Sequence, residues 1–425
     1  MIIMEESQSF LLGQAGVSGI IRRVYIDGGE CKLNRMPALW SNPAQAVLYL
    51  VIILFAIGTV NIFSASFVTA SREWNDSYFY LKRHLQAFGI GIVLLWLTAK
   101  FDYRRYKWLV PLVILGTLVT LALVPVIGLE ANGARRWLKL GMTFQPSELA
   151  KLAAVMMTAA YLGMQLDKGR RTSIFSWPFW LTGIMVVLVY KQPDMGTAVV
   201  IFALCMVVYL LSGIPRREWL GLVSIGAIVV VASVYAAPYR VVRIAAWFNP
   251  WAFQQDIGYQ AVQALLAIGS GGFTGTGLGL GASKFFYLPE AHTDFAFAVL
   301  SQEMGFMGVV AILILFASIS WYGTKIAIRA PDGYGMLLAG GLTALIGGQA
   351  VGNIAMVCGI LPVTGVPLPF ISFGGTSLIV NMLAVGILIS IGRQSAAEGS
   401  QPFKPEPQLD PNRRARRRLQ LVNRK

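Results

Sequence analysis

With 425 residues, 56% of them hydrophobic and 13% charged, the chain is too apolar for a soluble domain, in which about a quarter of residues carry charge. A formal net charge of +15 would suit a nucleic-acid binder, but the basic residues are dealt out among many short polar segments, which excludes that class. The three cysteines, Cys31, Cys205 and Cys358, have neither zinc nor disulfide spacing, so metal-cluster and redox readings are set aside.

In chain order, residues 1–43 hold an apolar patch from Phe10 to Ile21 followed by Arg22 and Arg23. A signal peptide has the opposite order, so the segment reads as a cytoplasmic N-terminal tail. Apolar runs then recur at 44–67, 84–99, 108–128, 146–165, 175–191, 195–213, 218–237, 294–324, 334–360 and 371–392. Each is close to the ~20 residues that cross a bilayer as a helix, which predicts an all-α polytopic membrane protein with about ten transmembrane helices. Gln192-Pro193-Asp194 makes the fifth and sixth runs a hairpin. Basic residues fall in alternate connections, among them Arg104 and Arg105, Arg170 and Arg171, and Arg216 and Arg217. By the positive-inside rule both tails are cytoplasmic. The membrane domain then covers 44–393, and 394–425 is a basic, disordered cytoplasmic tail.

The connection 238–293 is the one long loop on the opposite, extracytoplasmic side, between helices 7 and 8. Its aromatic content argues against disorder, and residues 258–268 repeat apolar positions at helical spacing, which predicts a short interfacial helix. Residues 269–281 are glycine-dense. Gly277-Leu-Gly279-Leu-Gly281-Ala282 fits a dinucleotide-binding pattern, but no strand precedes it. The better reading is a turn that lets backbone approach its neighbours. Pro289 suits the first turn of a helix, which would set Glu290 and Asp294 four apart on one face at a membrane surface, with His292 between them.

Ionisable groups in or beside apolar spans face a partner or a wet cavity. Glu148 and Lys151 share a face of the fourth span, Asp194 opens the sixth, and Arg135, Arg136, Arg240 and Arg243 lie on the same predicted side. Together they suggest a basic pocket with a few carboxylates, suited to an anionic lipid headgroup. Glu303, deeper along the eighth run, reads as structural. The segment Pro362 to Ser377 has three prolines and three glycines and cannot be one helix, so it must be buried in protein or line a cavity.

These motifs carry a resemblance. The 362–377 loop with Asn353 upstream, Gly133-Ala-Arg-Arg-Trp-Leu138, Gln145-Pro-Ser-Glu-Leu-Ala-Lys151, Gln192-Pro-Asp-Met-Gly-Thr197, Asn249-Pro-Trp251 and Leu288-Pro-Glu-Ala-His-Thr-Asp-Phe295 resemble the signature of the FtsW/RodA/SpoVE (SEDS) family, and its FtsW-like members in particular. The resemblance implies a peptidoglycan glycosyltransferase in the bacterial cytoplasmic (inner) membrane. It would polymerise lipid II into glycan strands during division or cell-shape growth. The implied partners are a class B penicillin-binding protein and other divisome or elongasome membrane proteins, with no nucleic acid. Asp294 matches the family's proposed catalytic residue; Arg136, Glu148, Lys151, Asp194 and Arg240 match charged cavity positions. Arg243, Glu290, His292 and Ser372 complete the expected substrate-binding set. One departure is Phe286, where some division-type members carry a glutamate.

The chemistry needs one carboxylate base for the acceptor hydroxyl and cations on the diphosphate. No dedicated metal cage is readable, though a divalent cation, Mg or Mn, could assist. Burial and Glu290 would raise the pKa of Asp294 while the arginines would lower it, and the sequence does not decide the sign. The rival reading is a transporter that flips lipid II. It accounts equally for a basic cavity and broken helices but less well for carboxylates gathered on the external side.

Overall fold

The structure, a computed structural model, describes residues 42–397 apart from 132, 133, 171, 283 and 285–287. The expectations for the two tails, and those resting on Gly133, Arg171, Phe286 and Tyr287, fall outside the described residues.

Twelve α-helices lie along the described chain. They are α1 (Pro43–Trp74), α2 (Phe79–Lys100), α3 (Tyr106–Ile127), α4 (Pro146–Asp167), α5 (Trp177–Lys191), α6 (Met195–Leu211), α7 (Arg216–Tyr235), α8 (Pro238–Phe248), α9 (Tyr259–Ser270), α10 (Ala296–Ile328), α11 (Gly333–Val357) and α12 (Gly375–Ala397). Helices occupy all ten predicted spans. Seven of those described are long and apolar enough to cross a membrane, and α5 and α6 are shorter apolar helices. The protein is a multi-pass membrane protein, and α9 is the short helix that the loop's periodicity predicted.

Local sequence starts and stops these helices. Asn42 caps α1, its Oδ1 accepting from the N–H of Ala44 at 3.0 Å, with Pro43 in the first turn. Asp332 caps α11 in the same way, accepting from Gly335 N–H at 2.6 Å. Helices α4, α11 and α12 form the interior of the bundle, whereas Leu222 is the one buried residue of α7. The α4–α11 contact depends on Gly163, where a Cβ would lie 2.5 Å from the Tyr334 backbone. Small residues let helices approach this closely in lipid, where hydrophobicity does not drive association.

Three features depart from expectation. First, residues 129–144 form a small antiparallel sheet, β1 (Leu129–Ala131), β2 (Ala134–Leu140) and β3 (Met142–Phe144), ordered β1-β2-β3. Second, the loop after α7 opens with α8, whose Tyr239, Val241 and Val242 stay exposed. Third, Pro289 does not begin a helix. Residues 288–295 turn irregularly, Glu290 sits at φ +54°, and α10 begins at Ala296. Glu290 and Asp294 therefore do not share a helical face.

Helix α10 is itself broken at Gly305, with φ +63° and ψ −165°. Only glycine adopts that conformation readily. The glycine-dense turn repairs the break. Thr276 and Gly277 N–H donate to the carbonyls of Gln302 and Glu303 at 3.0 and 3.1 Å, and Phe306 and Met307 N–H donate to Gly272 and Phe273 at 3.0 and 3.2 Å. At Gly275 a Cβ would fall 2.1 Å from the Glu303 carbonyl oxygen. Close backbone approach is what these glycines supply, as expected.

Candidate active site

At the end of the bundle where α1, α3, α5, α7 and α11 finish, two irregular loops meet. One is 288–295; the other runs 358–374 between α11 and α12. Their joining is polar and specific. Phe373 N–H donates to the His292 carbonyl at 2.8 Å. The buried Asn353 side chain donates to the carbonyls of both Asp294 and Val366 at 2.8 Å. The Cβ direction of Gly365 lies 3.4 Å from Asp294 Oδ2, at φ +72°. The prolines and glycines of 362–374 thus place backbone against the carboxylate, satisfying the polar groups of a non-helical segment inside protein.

Helix starts supply the rest. Asp194 caps α6, its Oδ1 accepting from Thr197 N–H at 3.2 Å, while Oδ2 accepts from Gln145 Nε2 at 3.4 Å. Gln145 opens α4, and its N–H donates to Thr376 Oγ1 at the start of α12 at 3.1 Å. Arg136, on β2, donates through Nε to the Gln192 carbonyl at 3.3 Å and through Nη2 to that of Pro193. The sheet therefore holds a guanidinium over the α5–α6 hairpin. Lys151 and Glu148 form the expected pair at 2.6 Å, both buried, and Glu148 Oε2 has no hydrogen-bond partner among the described residues.

These positions decide the charge state of Asp294. It is half-buried, preceding the first turn of α10. Burial pushes its carboxyl up to about 7; Glu290, Asp194 and Glu148 add to the rise, and Arg136 opposes it. Removal from water outweighs the nearby cation, which resolves the sign left open by the sequence. His292 is pushed the other way. Burial lowers its pKa against the pull of Glu290 and Glu73, and its ring packs on Tyr80 at 4.3 Å and Phe373 at 5.8 Å.

Arg136, Glu148, Asp194 and Glu290 thus surround Asp294 electrostatically, with Lys151 paired to Glu148. Other expected residues stand apart. Arg240 on α8 is stacked 4.7 Å from the Tyr190 ring and donates to Ser233 O at 2.8 Å, so it is held on α5 and α7. Arg243 is exposed, and Arg135 forms an exposed pair with Glu130 at 3.4 Å. Ser372 is buried, with its hydroxyl accepting from Leu368 N–H at 3.0 Å, so it braces its own loop. Tyr80 and Thr376 were missed by sequence reasoning. Thr376 lay within the quoted glycine-rich motif, while Tyr80 has no signal beyond an aromatic at a helix start. Among the described residues no three of His, Cys, Asp or Glu gather where they could hold a metal ion.

The FtsW/RodA/SpoVE family, described as cell cycle proteins, matches residues 44–397. The chain is 41% identical over 350 residues, 81% of its length and 95% of the other's, to a probable peptidoglycan glycosyltransferase FtsW of Geobacter sp. (strain M18). It is 38% identical over 363 residues to stage V sporulation protein E of Bacillus subtilis, covering 84% of this chain and 98% of that one. Among solved structures it resembles a chain from a study of coordinated polymerization and crosslinking by a peptidoglycan synthase complex. There the TM-score is 0.68 at 30% identity, over 83% of this chain and 98% of that one. The rod shape determining protein RodA of Thermus thermophilus gives a TM-score of 0.60 at 30% identity, over 85% and 98%.

Proposed function

The chain belongs to the FtsW/RodA/SpoVE family of cell cycle proteins, and we propose that it is a peptidoglycan glycosyltransferase that polymerises lipid II, with Asp294 as general base. Asp294 takes the proton from a sugar hydroxyl of one lipid-linked glycan as that oxygen attacks the anomeric carbon of another. The undecaprenyl diphosphate departs from the opposite face with the bonding electrons, so the anomeric centre inverts. A diphosphate is a good leaving group, so one base suffices where a glycosidase needs a second carboxyl as acid.

The observation that carries this reading is the half-buried carboxyl of Asp294, held where the loops 288–295 and 358–374 meet and pushed up to about 7. A base with its pKa near the working pH combines a useful ionised fraction with proton affinity. Arg136 supplies positive charge beside it, and Lys151 is paired with Glu148, which also acts on Asp294. A divalent ion would draw its ligands mainly from the diphosphate. A class B penicillin-binding protein is the proposed partner. It fits the peptidoglycan synthase complex whose chain this one resembles.

Purified protein in detergent, supplied with lipid II and a class B transpeptidase, should yield glycan polymer. Asp294→Asn, which keeps size and hydrogen bonding, should lower the rate by roughly 10²–10⁴ while lipid II binding stays nearly unchanged. Translocation in sealed vesicles, with no polymer under any partner condition, would establish the transporter instead.

A further inference from the structure

Lys284, Glu303 and Ser64 form a buried cluster that the proposed chemistry does not use. Lys284 Nζ lies 3.1 Å from Glu303 Oε1, and both side chains are almost wholly shielded from solvent, at 6% and 1% exposure. Ser64 on α1 donates to Glu303 Oε1 at 2.6 Å and accepts from Lys284 Nζ at 3.2 Å. Lys284 Nζ also donates to the Gly279 carbonyl. An ammonium has three protons, and the acceptors found among the described residues already suffice for them, which leaves the cation committed to the cluster rather than to a substrate phosphate.

The placement of the cluster along the chain is informative. Lys284 precedes Asp294 and Glu303 follows it, so the ion pair closes a segment with Asp294 near its middle. Gly281 lets the loop settle here, since a Cβ on it would sit 2.7 Å from Gln302 Oε1. Helix α1 holds the same segment a second time, Asn61 donating to the Ala296 carbonyl at 3.0 Å. Between these anchors residues 288–295 have few backbone hydrogen bonds of their own, chiefly from Thr293 and Phe295 N–H to the Glu290 carbonyl. Its register is fixed from outside the turn, by Asn353 and the Phe373 N–H on one side and by these anchors on the other.

A buried ion pair is a poor way to gain stability, because an apolar pair of similar volume would often do as well. It does specify one geometry, and a base must hold its geometry to about 0.5 Å. We propose that Lys284, Glu303 and Ser64 are positioning residues, a clasp that ties the long loop to α1 and α10 and so sets where Asp294 stands. This rests on the reading of Asp294 as the base.

The test uses full-length protein with its transpeptidase, and reads kcat, KM for lipid II and the pH midpoint of polymerisation. Lys284→Met and Glu303→Gln each break the clasp. A misplacement of about 1 Å costs on the order of 10²-fold, so kcat should fall about that far with KM within about twofold, and the pH midpoint should move as Asp294 shifts against its neighbours. The double variant Lys284→Met/Glu303→Met leaves no charge unpaired and should recover at least about tenfold of the loss. Ser64→Ala leaves the charges paired, covers the case in which the single variants fail to fold, and should lower kcat several-fold at constant KM. Three outcomes overturn the clasp: a rise in KM with kcat intact, a double variant no better than the worse single one, or Ser64→Ala with wild-type kcat and pH midpoint. Asp294→Asn, run alongside, separates the two ideas. If it stays active, the base assignment fails whatever the clasp variants do. If it is inactive while the clasp variants behave as wild type, the clasp alone fails.

Discussion

At the scale of single residues, the working charge of the site comes from its neighbours rather than from Asp294 itself. An aspartate in water ionises near pH 4 and is a feeble base at neutrality. Here burial is the largest cause of the rise to about 7, and three carboxylates from separate segments add to it. The folded pKa lies above the ordinary one, so the ionised carboxylate appears only as the pH climbs through 7. Polymerisation by the complex should therefore rise with pH about tenfold per unit below a midpoint near 7 and level off above it. Glu290 raises the carboxyl, so Glu290→Gln should move that midpoint down while leaving the plateau rate nearly intact; a midpoint that stays put or moves up would remove Glu290 from the electrostatics of the base. The sequence named Asp294 and its neighbours but not the outcome. Asp194 and Glu148 come to the site from α6 and α4, and how deeply a side chain is buried among distant segments has no local code.

The helices were far more legible than the connections between them. Ten apolar runs became helices whose ends lie within seven residues of those expected, because the bilayer length and the caps Asn42 and Asp332 are local signals. The sheet of residues 129–144 also had a signal, Asn-Gly at 132–133, the dipeptide favoured in a two-residue hairpin turn. It was overridden by the apolar pattern on either side. Helix α8 was missed because its eleven residues are too few to span and follow α7 almost without a break. The break in α10 is the least legible of these, since a lone glycine in an apolar run usually signals packing. The conformation of Gly305 and its contact make a direct test. Gly305→Ala would place a Cβ 2.2 Å from the Gly275 nitrogen at φ +63°. Backbone strain of that kind costs on the order of 1–3 kcal/mol, before any overlap is relieved. The purified variant should melt below wild type and lose polymerisation, since the repaired break lies on the helix that follows Asp294. A melting curve and rate matching wild type would mean that α10 can straighten without harm.

For the whole molecule, the site's elements converge because of how the chain is threaded. Each hairpin returns the chain, so β2 and the starts of α4, α6, α10 and α12 fall at one end, where Arg136, Glu148, Asp194, Asp294 and Thr376 sit. Which side of the membrane that end faces follows from charge. Basic residues such as Arg104, Arg105, Arg216 and Arg217 lie at the other end, which the positive-inside rule predicts to be cytoplasmic. The base would then work on the outer side, where glycan strands are built, and both termini would lie inside. Cysteine labelling checks this with little perturbation, because Cys205 is buried and Cys358 only partly exposed, so both can be replaced along with Cys31. In that background Asp256→Cys, at an exposed position of the long loop, should react with a membrane-impermeant thiol reagent added to intact cells, and Asp410→Cys should react only after lysis. The reverse pattern would place Asp294 on the cytoplasmic side. A polymerase there would build its strands in the wrong compartment, and a transporter loading lipid II from within would become the better account of the same charged residues and broken helices.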